Sequence, residues 1–230
     1  MTSQEQNGKE NGQWDNIWPI NHLEDSVAKC FRIFTDPDCI STIPTGCPFV
    51  QGLNLNPHKI EAYMDRACWN NGKEDARCGS GIWFSPEHQR NTAFRVPGPS
   101  QSNQVSKIVA VIEAVSTVLT FYPLKINTDS CYMIDGLTKH LKNWEDNGWI
   151  GVDNAKFFKW VAFLLKKRMA VTTFQWVKGH SGNTGNEECD SLAKEGANKD
   201  KPDLLPLDIP SQYNLQWAKL AGCIQRNPVL

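Results

Sequence analysis

Hydrophobic and polar positions alternate singly through Ile60-Glu61-Ala62-Tyr63-Met64-Asp65, the period of a strand with one buried face. An Asn70-Asn71-Gly72 turn follows. Cys78 to Phe84 and Thr92 to Val96 are then a second and a third strand, the latter stopped by Pro97-Gly98-Pro99. Short links between three strands predict an antiparallel meander. The period then changes. Ile108, Ile112, Val115 and Leu119 recur at helical spacing and predict a helix from Asn103 to Leu119 with one apolar stripe. Pro123 to Ser130 is a buried strand, Cys131 to about Asn147 a helix halted by Gly148, and Lys156 to Met169 another helix. Thr172 to Val177 alternates again, and Asn186 to Asn198 closes the periodic region as a polar-faced helix. The order is βββ-α-β-α-α-β-α. Strands separated by helices need crossovers, so the last two strands should run parallel to the first. The pattern predicts an α/β fold on a five-stranded mixed sheet flanked by helices.

Outside this region the chain changes character. Residues 1–57 are polar, then rich in Pro, Thr, Asp and Gly, and are expected to form a largely disordered extension before a domain at 58–200. Residues 201–230 form a proline-punctuated tail with one candidate amphipathic helix from Tyr213 to Ile224. The full 230 residues, 40% hydrophobic and 10% aromatic, suit one medium domain with tails. No run approaches the roughly 20 apolar residues that cross a bilayer. The opening MTSQEQNGKENGQ lacks the apolar segment of a secretory signal, so an intracellular, cytoplasmic or nuclear location is expected, with no membrane partner.

Eight cysteines are irregularly spaced with no C-x-x-C pair, which predicts reduced, mostly packed thiols. Cys30, Cys39 and Cys47, perhaps joined by His22 or His58, could in principle share a zinc ion, although the closely spaced ligand pairs of structural zinc sites are missing. The net charge is −1 and the pI about 6.5. A tight non-specific nucleic-acid binder carries a strong positive excess, so any such binding must come from a local patch and be salt-sensitive.

Four residues suggest chemistry. Asp65 lies in Tyr-Met-Asp-Arg-Ala-Cys, and Asp129 in Lys-Ile-Asn-Thr-Asp-Ser. His180 and Asp190 lie in Val-Lys-Gly-His-Ser-Gly…Asn-Glu-Glu-Cys-Asp. Taken singly, each has an ordinary reading: a solvated strand-end cap, a loop histidine, a carboxylate favoured by a helix dipole. Together they fit two-metal phosphoryl chemistry, in which several carboxylates bind a pair of hard divalent ions roughly 4 Å apart. If the first and fourth strands are neighbours, Asp65 and Asp129 emerge on one rim and Asp190 leans over it.

From about Lys59 to Lys199 the chain resembles the ribonuclease H type 1 family. The resemblance rests on the element order, Thr-Asp-Ser after the fourth strand, the Asn-x-Gly turn, Lys-Gly-His-Ser-Gly, Asn-Glu-x-x-Asp-x-Leu-Ala, and Asn-Trp-x-x-x-Gly-Trp near Trp144. It implies an RNase H-like fold and an endoribonuclease that cuts the RNA strand of RNA–DNA hybrids with Mg²⁺ or Mn²⁺; a monomer is expected. In that reading Asp65, Asp129 and Asp190 match metal ligands, with Asp65 bridging two ions. His180 matches the histidine that assists proton transfer or product departure. Asn71, Asn103 and Gln104 match positions touching the hybrid's minor groove, where 2′-hydroxyls mark the RNA strand.

The family's remaining carboxylate, a glutamate early in the first helix, falls by spacing on Lys107. An ammonium cannot ligate Mg²⁺, and it could instead pair with Asp65 or Asp129. Glu113, six residues on and about 240° around the helix, should point elsewhere. Arg66-Ala67 stands where Gly-Ser usually follows the first carboxylate, which puts a bulky side chain near the substrate rim. Glu145-Asp146-Asn147 replaces a basic protrusion found in bacterial members. Lys139, His140 and Lys142 with Lys166-Lys167-Arg168 then read as solvated helix faces or as a substitute basic patch. The expected function is a ribonuclease H impaired by Lys107; the alternatives are a catalytically inactive nucleic-acid binder or a decayed mobile-element copy.

Overall fold

The computed structural model describes residues 58–179, 182–206 and 209 and the backbone of 13–17. Among the described residues the elements run β1 (Gln13–Ile17), β2 (Ile60–Trp69), β3 (Arg77–Trp83), β4 (Thr92–Arg95), α1 (Asn103–Thr117), β5 (Leu124–Thr128), α2 (Cys131–Asp135), α3 (Leu141–Asp146), α4 (Ala155–Lys167), β6 (Thr172–Trp176) and α5 (Thr184–Asn198). A π-helical turn, Gly136–His140, joins α2 to α3, so the expected helix from Cys131 to about Asn147 is continuous but wider at its middle.

The sheet has the order β1-β6-β5-β2-β3-β4. β2, β3 and β4 form the antiparallel meander, whereas β5 pairs parallel to β2 and β6 parallel to β5. This is the five-stranded mixed sheet expected from the sequence. A sixth strand is added by residues 13–17, which pair antiparallel with β6 inside the segment expected to be disordered. The rest of that expectation, the zinc candidates Cys30, Cys39, Cys47 and His22, and the candidate helix from Tyr213 to Ile224 lie outside the described residues.

Alternation along β2 divides the two layers. Ala62 and Met64 face the main core beneath α1 and α4, with Ile108, Ile112, Phe158 and Val161 among their neighbours in it. Ala67 faces the other way, against Ala193 and Ala197 of α5. Asp65, two residues before Ala67, shares that second face. α5 lies on the backbone of β3. A Cβ at Gly81 would sit 1.9 Å from the Cys189 carbonyl oxygen, and one at Gly79 would sit 2.2 Å from that of Ala193. This close approach fixes the height of Asp190 above the sheet.

Two readings of the sequence are corrected. Arg168 does not belong to a solvated basic face; it is 2% exposed. Its Nε donates to Thr172 Oγ1 at 2.9 Å, and its terminal nitrogens donate to the carbonyls of Val118 and Tyr122. It thereby ties the end of α1 to the loop before β5 and to β6, satisfying carbonyls that would otherwise be buried unpaired. Cys68 and Cys78 are not reduced thiols but are joined in a disulfide. They are direct partners across β2 and β3, a proximity set by the hairpin register. No helix among the described residues is long and apolar enough to cross a membrane. Just past residue 200, Asp203 accepts the Arg95 backbone N–H at 2.6 Å and Leu205 packs on the core.

Gly81→Ala should cost at least about 2 kcal/mol, because backbone rather than a flexible side chain blocks the added methyl. Urea denaturation reads this directly, and an unchanged midpoint would mean that α5 does not rest on β3 as described.

Candidate active site

β2 and β5 run parallel with Met64 opposite Thr128, so the next residue of each strand direction, Asp65 and Asp129, reaches the same rim. Asp65 is 7% exposed. Asp190 stands on α5, held over β3 by the glycine contacts. Their charges act on one another. Burial, then the charge of Asp129 and more weakly that of Asp190, raises the Asp65 carboxyl to about 6. The Arg66 backbone N–H, donating to Asp65 Oδ1 at 2.7 Å, and the Lys107 charge work in the opposite direction. The neighbouring Cys189 thiol is pushed upward by burial and by the charges of Asp65, Asp129 and Asp190 together.

Lys107, on the second turn of α1, points into this cluster. Its Nζ donates to Asp129 Oδ1 at 3.0 Å, with side-chain exposures of 17% and 26% for the two partners. At an effective dielectric of about 20 such a pair attracts by roughly 5 kcal/mol, part of it offset by desolvation. A second ammonium, unnoticed in the sequence, sits on the third carboxylate: Lys194 Nζ lies 2.6 Å from Asp190 Oδ2. The signal was available, since a lysine four residues after an aspartate on a helix faces it. Glu113 does point elsewhere. Burial and the charge of Asp203 raise it to about 7.

The loop carrying His180 abuts Asp129. A Cβ at Gly179 would meet Asp129 Oδ2 at 3.1 Å, and Trp176 Nε1 donates to the Asp129 carbonyl at 3.2 Å. His180 itself lies outside the described residues. On the other side of the rim, Asn71 Oδ1 accepts the Asn103 backbone N–H at 3.1 Å, so the hairpin turn is latched to the start of α1. Gln104 Oε1 accepts from Asn154 Nδ2 at 3.4 Å, and the same nitrogen lies 3.2 Å from the Tyr132 hydroxyl. Asn154 and Tyr132 were missed in the sequence because neither belongs to a motif. The structure thus brings Asn71, Asn103 and Gln104 to one edge, beside the carboxylates.

Three aspartates offer the hard oxygen donors that Mg²⁺ takes. As arranged, however, they do not fit a pair of ions: two of them are already bonded to ammonium groups. Among the described residues no group of three or more His, Cys, Asp or Glu side chains is disposed to hold a metal. Of the candidate basic-face residues, Lys139 is paired to Asp135 at 2.8 Å, Lys142 to Asp146 at 2.9 Å, and Lys166 to Glu145, as suits solvated helix faces rather than a substitute patch.

The RNase H family model matches residues 57–198. The chain belongs to the ribonuclease H family. Human ribonuclease H1 is 36% identical over 143 residues, covering 60% of this chain and 50% of that protein. The chain therefore spans about half the length of this and the rodent relatives. Ribonuclease H of Hyphomonas neptunium is 33% identical over 145 residues, covering 61% of this chain and 93% of that protein. Among solved structures, the PFV RNase H domain superposes with a TM-score of 0.50 at 25% identity, covering 61% of this chain and 95% of that one. LC9-RNase H1, at 23% identity and a TM-score of 0.50, shares the fold.

The raised Asp65 carboxyl makes a stability prediction for this ribonuclease H domain. Because its folded value, about 6, exceeds the ordinary 3.8, ionisation of Asp65 destabilises the fold above about pH 6. That penalty disappears as pH falls through 6 towards 3.8. Asp65→Asn should therefore be more stable than the natural chain by about 3 kcal/mol near pH 8 and nearly equal to it near pH 4. Chemical denaturation at the two pH values tests this; a difference independent of pH contradicts it.

Proposed function

We propose that this chain is a ribonuclease H domain that engages RNA–DNA hybrid but in which hydrolysis of the RNA strand is strongly suppressed. The carrying observation is the 3.0 Å contact from Lys107 Nζ to Asp129 Oδ1. Family membership supports the substrate class, and the hydrogen bond that ties Asn71 to Asn103 supports reading these residues and Gln104 as contacts to the duplex. The family's reaction takes Mg²⁺ or Mn²⁺, and Asp65, Asp129 and Asp190 are the groups that would have to supply its oxygen ligands. Lys107 and Lys194 compete with a cation for two of them.

The two obstacles differ in kind. Lys194 is the more exposed partner of an i,i+4 pair, and solvent screens such a surface pair so that it contributes little. A divalent ion could displace it readily. Lys107 is more enclosed and arises from a different element, so releasing Asp129 strands an ammonium in a partly desolvated place. Lys107 is the dominant block.

A labelled hybrid incubated with Mg²⁺ or Mn²⁺ tests this. Lys107→Glu should cleave on the order of tenfold to a hundredfold faster than the natural chain, and Lys107→Met, which removes the charge but adds no ligand, should fall between them. Cleavage by the natural chain at the Lys107→Glu rate would refute the suppression.

A further inference from the structure

Arg66 looks from the sequence like an obstruction, a bulky side chain directly after Asp65. The structure places it differently. Successive residues of a strand point to opposite faces, so the Arg66 side chain leaves β2 on the face away from Asp65 and α5. Its direct partner across the antiparallel pair is Ser80. Ser80 Oγ donates to the Ser106 carbonyl at 2.7 Å, within the first turns of α1. Since directly opposed residues share a face, the guanidinium stands beside the start of α1, the helix that carries Asn103, Gln104 and Lys107.

There it has no satisfied partner. Arg66 Nε is buried without a hydrogen bond, and no carboxylate among the described residues pairs with the guanidinium. Its backbone N–H donates to Asp65 Oδ1 at 2.7 Å. A buried cationic donor left unpaired carries a desolvation penalty, and a guanidinium remains protonated at any working pH. On the first turn of the same helix, Asn103 Oδ1 is likewise a buried acceptor without a donor. A cationic donor on the strand that faces this helix suits an anionic oxygen such as that of a nucleic-acid phosphate.

We propose that Arg66 is a phosphate-binding residue that holds the nucleic-acid backbone at the α1 rim, beside the Asn71–Asn103 latch. The inference rests on the hybrid-binding reading above and gives that reading a cationic contact which the charge-balanced helix faces do not provide. It also explains how a chain of net charge −1 engages a polyanion: one well-placed guanidinium supplies a fork of donors suited to phosphate. Arg66 is a binding residue, separate from the carboxylates, so its effect persists when divalent ions are chelated.

Fluorescence anisotropy of a short labelled RNA–DNA hybrid with the full chain, in EDTA and across a salt series, tests this. Arg66→Met should bind about tenfold more weakly and show a log Kd against log salt slope shallower by about one, the signature of one lost phosphate contact. Arg66→Lys should keep the slope while losing part of the affinity, and it serves as the charged reference should the methionine variant melt at a lower temperature. Arg66→Met or Arg66→Lys behaving otherwise, with affinity and slope both unchanged in Arg66→Met, overturns the assignment while leaving hybrid binding intact. Tighter binding by Arg66→Gly overturns it too, because the side chain would then be an obstruction. Absence of hybrid binding by the natural chain removes the parent reading and this assignment together.

Discussion

Lys107 donates to Asp129 across 3.0 Å, and this contact determines how three carboxylates coexist on one rim. Asp65, Asp129 and Asp190 converge because β2 and β5 are parallel neighbours and α5 is pressed onto glycines of β3. Like charges brought together in a half-buried place repel, and the raised Asp65 carboxyl records that repulsion together with burial. Divalent cations are one way to balance such a cluster. In this chain two lysines do so instead, one from α1 and one from α5 itself. The rim is then internally balanced, and an incoming ion must break a bond before it can form one.

The scaffold and the chemistry are separable here. Everything that positions the aspartates is intact: parallel register at Met64 and Thr128, glycine contacts beneath α5, the Trp176 bond to the Asp129 backbone, and Gly179 against the Asp129 carboxylate. What differs lies in side chains that project into or beside that frame, Lys107 and Arg66. A fold carries a site without dictating its activity. Lys107 adds positive charge beside the carboxylates, whereas Arg66 adds it on the other face of β2.

Much of this was legible in the sequence. The period-2 runs gave the meander, helical spacing of Ile108, Ile112 and Val115 gave α1, and motif spacing alone placed a lysine where a glutamate is expected. Charge and proximity offered Asp65 or Asp129 as the partner of Lys107, and the structure selects Asp129. The parts that escaped depend on partners distant in sequence. Arg168 closes a helix breach with carbonyls of residues 118 and 122, which no local pattern shows. Cys68 and Cys78 meet only once the hairpin register is fixed. The strand at 13–17 is polar and too short for periodicity to reveal, since its pairing comes from the open edge of β6 rather than from its own composition. The face that Arg66 takes required the alternation of β2 to be counted from Ala62.

The direct test of an ammonium in place of a cation is occupancy of the rim by a paramagnetic ion. Mn²⁺ titrated into isotopically labelled protein broadens the amide signals of residues near a bound ion. In Lys107→Glu, the signals around Asp65, Asp129 and Asp190 should vanish at Mn²⁺ concentrations at least about tenfold below those that affect the natural chain. Equal broadening of the same signals in both proteins, at the same concentration, would contradict the account.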